Sequence, residues 1–245
     1  MNTDRDHSPI IRLQEISFAY PGGSPVLDRL DFALFPGDRI GLVAPNGSGK
    51  TTLLHIIMGL LRPDAGRIEI FGRPVSEEKD FVAVRQRIGM LFQDADDQLF
   101  SPTVLEDVAF GPLNMGQSKD EAIATARRVL DRLGLHGFEQ RITFKLSGGE
   151  KRLVSLATVL AMAPEVLLLD EPTSGLDETT KARLKTILLE LDLSYILISH
   201  EFDFMAEVVS AFYTLKNGRL VEDAELHQHA HAHCHPLGHQ PHEHP

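Results

Sequence analysis

Three things are scarce in this 245-residue chain, and each scarcity closes off a class of function. Cysteine occurs once, as Cys234, so an intrachain disulfide has no second partner and a reducing compartment is expected. No apolar stretch approaches the roughly 18 to 20 residues that span a bilayer. The start, Met1-Asn2-Thr3-Asp4-Arg5-Asp6, is too polar for a signal peptide, so any membrane role is expected to come through partner subunits. Positive charge is in deficit: 24 Lys and Arg against 35 Asp and Glu leave a formal net charge of −11. That balance argues against a nucleic-acid surface, where phosphate neutralisation needs excess cations. The remaining composition, 42% apolar and 24% charged, is ordinary for a globular protein with a substantial core.

What the chain does have is glycine in two telling places. At the first, Arg39-Ile40-Gly41-Leu42-Val43 reads as a buried strand running into Ala44-Pro45-Asn46-Gly47-Ser48-Gly49-Lys50-Thr51-Thr52. Leu53, Leu54, Ile56, Ile57 and Leu60 then follow at helical spacing. Strand, glycine loop and helix, in that order, make a phosphate cradle. The glycines let backbone N–H groups from Asn46 to Gly49 approach phosphate, Lys50 supplies a cation to β- and γ-phosphates, and Thr51 offers its hydroxyl to Mg²⁺. The strict pattern G-x-x-x-x-G-K-[ST] is broken at its first position, Ala44, which can still make the turn if its φ is negative.

Val166-Leu167-Leu168-Leu169 is an apolar run of the kind found in strands buried on both faces. It delivers Asp170 and Glu171 to its carboxyl end, the edge where open α/β sheets bind ligands. Asp170 is placed to hold Mg²⁺ and Glu171 to accept a proton from, or orient, an attacking water. A helix from about Thr179 to Leu191 leads to a second buried strand, Tyr195-Ile196-Leu197-Ile198, which ends at Ser199-His200.

The second glycine element, Leu146-Ser147-Gly148-Gly149-Glu150, has a local reading: Ser147 as N-cap and Glu150 three residues on form a capping box at a helix start. It also resembles the signature sequence of ATP-binding cassette (ABC) ATPases. That resemblance implies that Ser147, Gly148 and Gly149 cap the γ-phosphate of an ATP held mainly by the opposite subunit, so that the site is complete only in a dimer. It further implies that Asp177, in Pro172-Thr173-Ser174-Gly175-Leu176-Asp177, belongs to the loop that communicates across the dimer, and that His200 is the switch histidine at the γ-phosphate. Tyr20, in Ile16-Ser17-Phe18-Ala19-Tyr20, is similar to the aromatic that stacks on adenine. Gln93, in Met90-Leu91-Phe92-Gln93, matches the glutamine that reaches the metal and the attacking water. The similarity spans Leu13 to Val221 and implies an α/β P-loop NTPase core with an antiparallel β flank and an inserted α-helical subdomain.

Within that family, the run from Asp97 to Asn114 resembles importer ATPases of the energy-coupling-factor type, particularly their nickel and cobalt branch. Leu99, Phe100, Val104, Val108 and Phe110 are expected either to form a groove for an apolar helix of a transmembrane partner or to be core of the helical subdomain.

The expected organisation is one ABC ATPase domain over residues 1–222, with a helical subdomain at about 94–163, a terminal hairpin at Asn217-Gly218 and a separate segment at 223–245. From His227 onward that segment holds eight of the chain's twelve histidines. It is too polar to fold alone. His227, His229, His231, His233 and His235 alternate, and in an extended chain they share a face that suits Ni²⁺, Co²⁺ or Zn²⁺. The resulting expectation is a peripheral ATPase at the cytoplasmic face of the inner membrane, using ATP and Mg²⁺ as a homodimer, or as a heterodimer with a sister cassette. It is expected to power nickel or cobalt import through separate transmembrane subunits, with no nucleic acid bound. Two alternatives stay open, a vitamin as cargo and a soluble ABC ATPase of DNA repair or translation.

Overall fold

The computed structural model describes residues 8–222. In chain order it holds strands β1 (Ile11–Ala19), β2 (Pro25–Leu34) and β3 (Arg39–Val43), helix α1 (Lys50–Ile57), strands β4 (Ala65–Ile70) and β5 (Arg73–Val75), helix α2 (Glu78–Arg87) and strand β6 (Ile88–Leu91). Helices α3 (Val104–Asn114), α4 (Lys119–Arg132) and α5 (Gly148–Leu160) follow, then β7 (Val166–Asp170), α6 (Glu178–Glu190), β8 (Ser194–Ile198), α7 (Phe202–Val208), β9 (Ala211–Lys216) and β10 (Arg219–Glu222).

One sheet has the order β10-β9-β3-β8-β7-β6 and is parallel except for β10. The other, β2-β1-β4-β5, is antiparallel, the expected flank. β7 and β8 show why their sequences read as continuous apolar runs. Leu167, Leu169, Tyr195 and Leu197 pack into the core shared with α3 to α6, while Val166, Leu168, Ile196 and Ile198 pack into the core shared with α1, α2 and the flank. Successive side chains on a strand point to opposite faces, so a strand covered on both sides must be apolar at every position.

The helical layer is built by repeated use of one local device. Thr103 with Glu106, Ser118 with Glu121, and Ser147 with Glu150 form capping boxes at the starts of α3, α4 and α5. Each box satisfies donors that the first helical turn leaves unpaired. The hairpin between β9 and β10 turns at Asn217 and Gly218, both with positive φ, as a two-residue turn matched to strand twist requires.

One expectation is corrected, and one left open between a groove and the core is decided. Leu60 does not extend α1: Gly59, at φ +66°, turns the chain away and the Leu60 N–H donates back to His55 O, leaving Leu60 exposed. Leu99, Val104 and Val108 do not form a surface groove, because they are buried in the helical-layer core. Phe100 and Phe110 are exposed, packed edge to face with ring centroids 4.8 Å apart.

Candidate functional site

Because β3, β7 and β8 are adjacent and parallel, their carboxyl ends bring three loops to one edge: 44–50, the segment from Asp170, and the segment from Ser199. In the first loop Gly49 stands at φ +104° just before α1, and a Cβ there would lie 2.5 Å from Val26 Cγ1. Only glycine fits both demands. Ala44 is buried and is not among the residues with positive φ, so it makes the turn that an L-residue can make. Lys50 folds back over the loop, its Nζ donating to Ala44 O at 2.6 Å and Pro45 O at 3.1 Å. Burial lowers its pKa, opposed by the nearby carboxylates of Glu171 and Asp170. Ser48 Oγ is buried without a hydrogen-bond partner.

Across from the loop, Thr51 Oγ1 donates to Asp170 Oδ2 at 2.6 Å. Burial raises the Asp170 pKa, against the opposing effects of the Thr51 hydrogen bond and of His55, Lys50 and Arg152. Glu171 is buried and sits at φ +49°, a left-handed conformation that is strained in a residue with a Cβ. Its Oε2 accepts from the His200 N–H at 3.3 Å. His200 Nε2 stands 3.1 Å from Glu171 Oε1 without hydrogen-bond geometry, so Oε1 has no hydrogen-bond partner. Burial raises the Glu171 pKa, with the charge and N–H of His200 opposing and Asp170 adding to the rise. Behind this pair Thr173 Oγ and Ser199 Oγ, both buried, meet at 3.1 Å and tie the two acid- and histidine-bearing segments together.

A cleft of about 610 Å³ gathers most of the expected residues: Tyr20, Asn46, Gly47, Gly49, Lys50, Thr51, Thr52, Gln93, Asp170, Glu171 and His200. Tyr20 is 46% exposed and its hydroxyl lies 3.1 Å from Thr52 Oγ1, which leaves its ring at the mouth. A second cleft, about 690 Å³, shares Thr51, Gln93 and Asp170 and runs to His55, Gly148 and Arg152. Ser147, Gly149 and Asp177 line neither cleft. Ser147 and Asp177 are the N-caps of α5 and α6. The histidines from His227 to His235 lie outside the described residues. Among those described, no cluster of three or more His, Cys, Asp or Glu is placed to hold a metal.

The cradle fits a nucleoside triphosphate with a divalent cation. A helix N-terminus and a buried ammonium face the loop, suited to phosphate oxygens. The hydroxyl of Thr51 beside the carboxylate of Asp170 is a hard-oxygen pair of the kind Mg²⁺ takes. Sequence reading missed His55, Ser174, Gln98 and Arg152. The first two line the clefts, and the last two hold the Gln93 loop.

Comparison with known proteins agrees. The ABC transporter family matches residues 27–174. A Nitratidesulfovibrio vulgaris chain, provisionally assigned as an ABC transporter ATP-binding protein, is 50% identical over 99% of this chain and 89% of its own. The energy-coupling factor transporter ATP-binding protein EcfA of Methanothermobacter thermautotrophicus is 41% identical over 87% of this chain and 70% of its own. Among solved structures, cbiO1 of Clostridium perfringens, part of the ABC transporter complex cbiONQ, superposes with a TM-score of 0.78 at 33% identity, covering 87% of each chain.

Proposed function

The chain belongs to the ABC transporter family as an ATP-hydrolysing subunit, and from that premise we propose that it is the energy-coupling-factor-type ATPase of a nickel or cobalt importer. The observation that carries the catalytic part is the convergence of Lys50, Thr51 with Asp170, and Glu171 with His200 on one sheet edge. Lys50 and the N–H groups from Asn46 to Gly49 bind the phosphates. Tyr20 stacks on the base. Thr51, Asp170 and Gln93 hold Mg²⁺, which when bound offsets negative charge on the β- and γ-phosphates. Glu171 Oε1, without a hydrogen-bond partner, accepts the proton of the water that attacks the γ-phosphorus as ADP leaves. His200 holds that carboxylate through its own N–H.

Ser147, Gly148 and Gly149 serve the ATP of a second copy, and Asp177 lies at the same interface, which makes the working unit a homodimer. The helical subdomain, about 94–163, meets the membrane subunit through Phe100 and Phe110 at the cytoplasmic face. No helix of the described residues is long and apolar enough to cross a membrane. Two things support nickel or cobalt over a vitamin: the run from Asp97 to Asn114, and the alternating His227 to His235, whose imidazoles are of the kind that suits Ni²⁺, Co²⁺ or Zn²⁺. Cells lacking the chain should lose uptake of radioactive nickel or cobalt; unchanged metal uptake with lost vitamin uptake would transfer the proposal to the other cargo.

A further inference from the structure

Arg152 is a buried cation that the proposed chemistry does not use. It is the fifth residue of α5, the helix that Ser147 caps, and is only 7% exposed. Its Nη1 donates to Phe92 O and its Nη2 to Gln93 O, each at 2.6 Å. Neighbouring carbonyls along a strand point in opposite directions, so two that meet one guanidinium mark the bend where the chain leaves β6. The planar fork of arginine suits this pair of acceptors, and a single ammonium cannot reproduce its geometry. Gln98 strengthens the same junction. Its Oε1 accepts from the Phe92 N–H at 3.3 Å, while its Nε2 donates to Ser155 O at 2.9 Å and Thr158 Oγ1 at 2.8 Å. The backbone on either side of Gln93 is thus fastened to α5 through Arg152, and through Gln98 at Phe92.

We infer that Arg152 is a positioning residue: it fixes the bend that aims Gln93 into the ATP site, and it makes any displacement of the signature helix move Gln93 with it. The inference rests on the reading of Gln93 as part of that site. It links the two halves of the composite machine within one chain. The helix that would touch the partner's ATP is the helix that holds the glutamine serving this chain's own. Arg152 touches no reacting atom in this account and acts only through the Gln93 backbone.

A double-mutant cycle on the full chain separates this role from a merely structural one. Gln93→Ala, Arg152→Met and the double variant are compared for kcat and KM of ATP hydrolysis, with melting followed by circular dichroism. Each single change should lower kcat about tenfold or more with KM nearly unchanged, and the double variant should be no slower than the slower single, because both remove one function. Multiplying losses, or a wild-type kcat in Arg152→Met, would overturn the inference while leaving the site reading intact. A wild-type kcat in Gln93→Ala would overturn both. Should Arg152→Met lack a cooperative melt, the cycle is run with Arg152→Lys, which keeps the charge and loses the fork, and it is judged by the same outcomes.

Discussion

Thr51 and Asp170, 119 residues apart in sequence, are joined by a 2.6 Å hydrogen bond from the threonine hydroxyl to the aspartate carboxylate. One stands in the first turn of α1 and the other at the last residue of β7. The bond therefore sets the phosphate loop against the acid-bearing strand. Asp170→Asn keeps the shape of the side chain and removes its charge. It should lower kcat on the order of 10²-fold and raise the Mg²⁺ concentration needed for half-maximal rate. An ATPase assay across a Mg²⁺ series checks this, and an unshifted Mg²⁺ curve would remove Asp170 from the metal site.

Glu171 and Lys50 should fail in different ways. Glu171→Gln retains ATP binding and loses turnover, by about 10²-fold or more as for other lost general bases. Lys50→Ala removes a buried ammonium held at Ala44 O and Pro45 O and should weaken ATP binding itself. Nucleotide titration by fluorescence, run beside steady-state kinetics, distinguishes the two. Equal affinity in wild type and Lys50→Ala counts against the phosphate-loop assignment.

Tyr195 supplies a stability test independent of the site. It is fully buried, its hydroxyl donates to Val208 O, and burial pushes its pKa up to about 12, against the opposing effect of Arg39. An unfolded tyrosine titrates near 10. Below that pH both states carry the proton. As pH rises from about 10 to 12, the unfolded state releases its proton and the folded state does not, so stability falls. Tyr195→Phe should be less stable at neutral pH by about 1 kcal/mol and should lose less on going to alkaline pH. Urea denaturation at both pH values decides it, and parallel losses would contradict the buried-phenol account.

The strands β3, β7 and β8 were legible because burial on both faces forces apolar residues at every position; the end of β7 then pointed to Asp170 and Glu171, while Lys50 came from the glycine-loop pattern and His200 from the family resemblance. The phosphate loop was legible because its glycines are required: at position 49 only glycine tolerates both the backbone and the close approach of Val26. Arg152 was not, since an arginine in a helix reads as a solvated face until the two carbonyls it holds are known. Helix α2 gave no signal because only Phe81 and Val84 of its ten residues are buried. Leu99, Val104 and Val108 alternate with exposed Phe100 and Phe110 within one run, so apolar character alone could not sort core from surface.

The histidine-rich segment should be separable from the ATPase. Truncation after Glu225 leaves every ATP-site residue and the hairpin at Asn217-Gly218, so hydrolysis in Mg²⁺ buffer free of transition metals should persist. Binding of Ni²⁺ or Co²⁺ should disappear with the truncation. In the full chain that binding should weaken below about pH 6, as imidazoles with pKa near 6.5 take up protons and cease to be ligands. Calorimetric titration of both chains at neutral and acidic pH provides the comparison. Unchanged stoichiometry after truncation would place the metal elsewhere.

The proposed composite site depends on Ser147 acting across a dimer on an ATP bound by another copy. Ser147 is exposed, and its Oγ accepts the Glu150 N–H at 3.3 Å, so its role as a helix cap is already accounted for and a drop of about 1 kcal/mol in stability is expected from its loss alone. Arginine there adds bulk and charge where a partner's phosphate would dock, without touching the cleft that binds this chain's own ATP. The decisive measurement is light scattering of size-exclusion peaks for Glu171→Gln and for Glu171→Gln with Ser147→Arg, each with Mg²⁺ and ATP. The first should run as a dimer and the second as a monomer that still binds ATP; equal dimerisation of both would rule out a composite site built with Ser147.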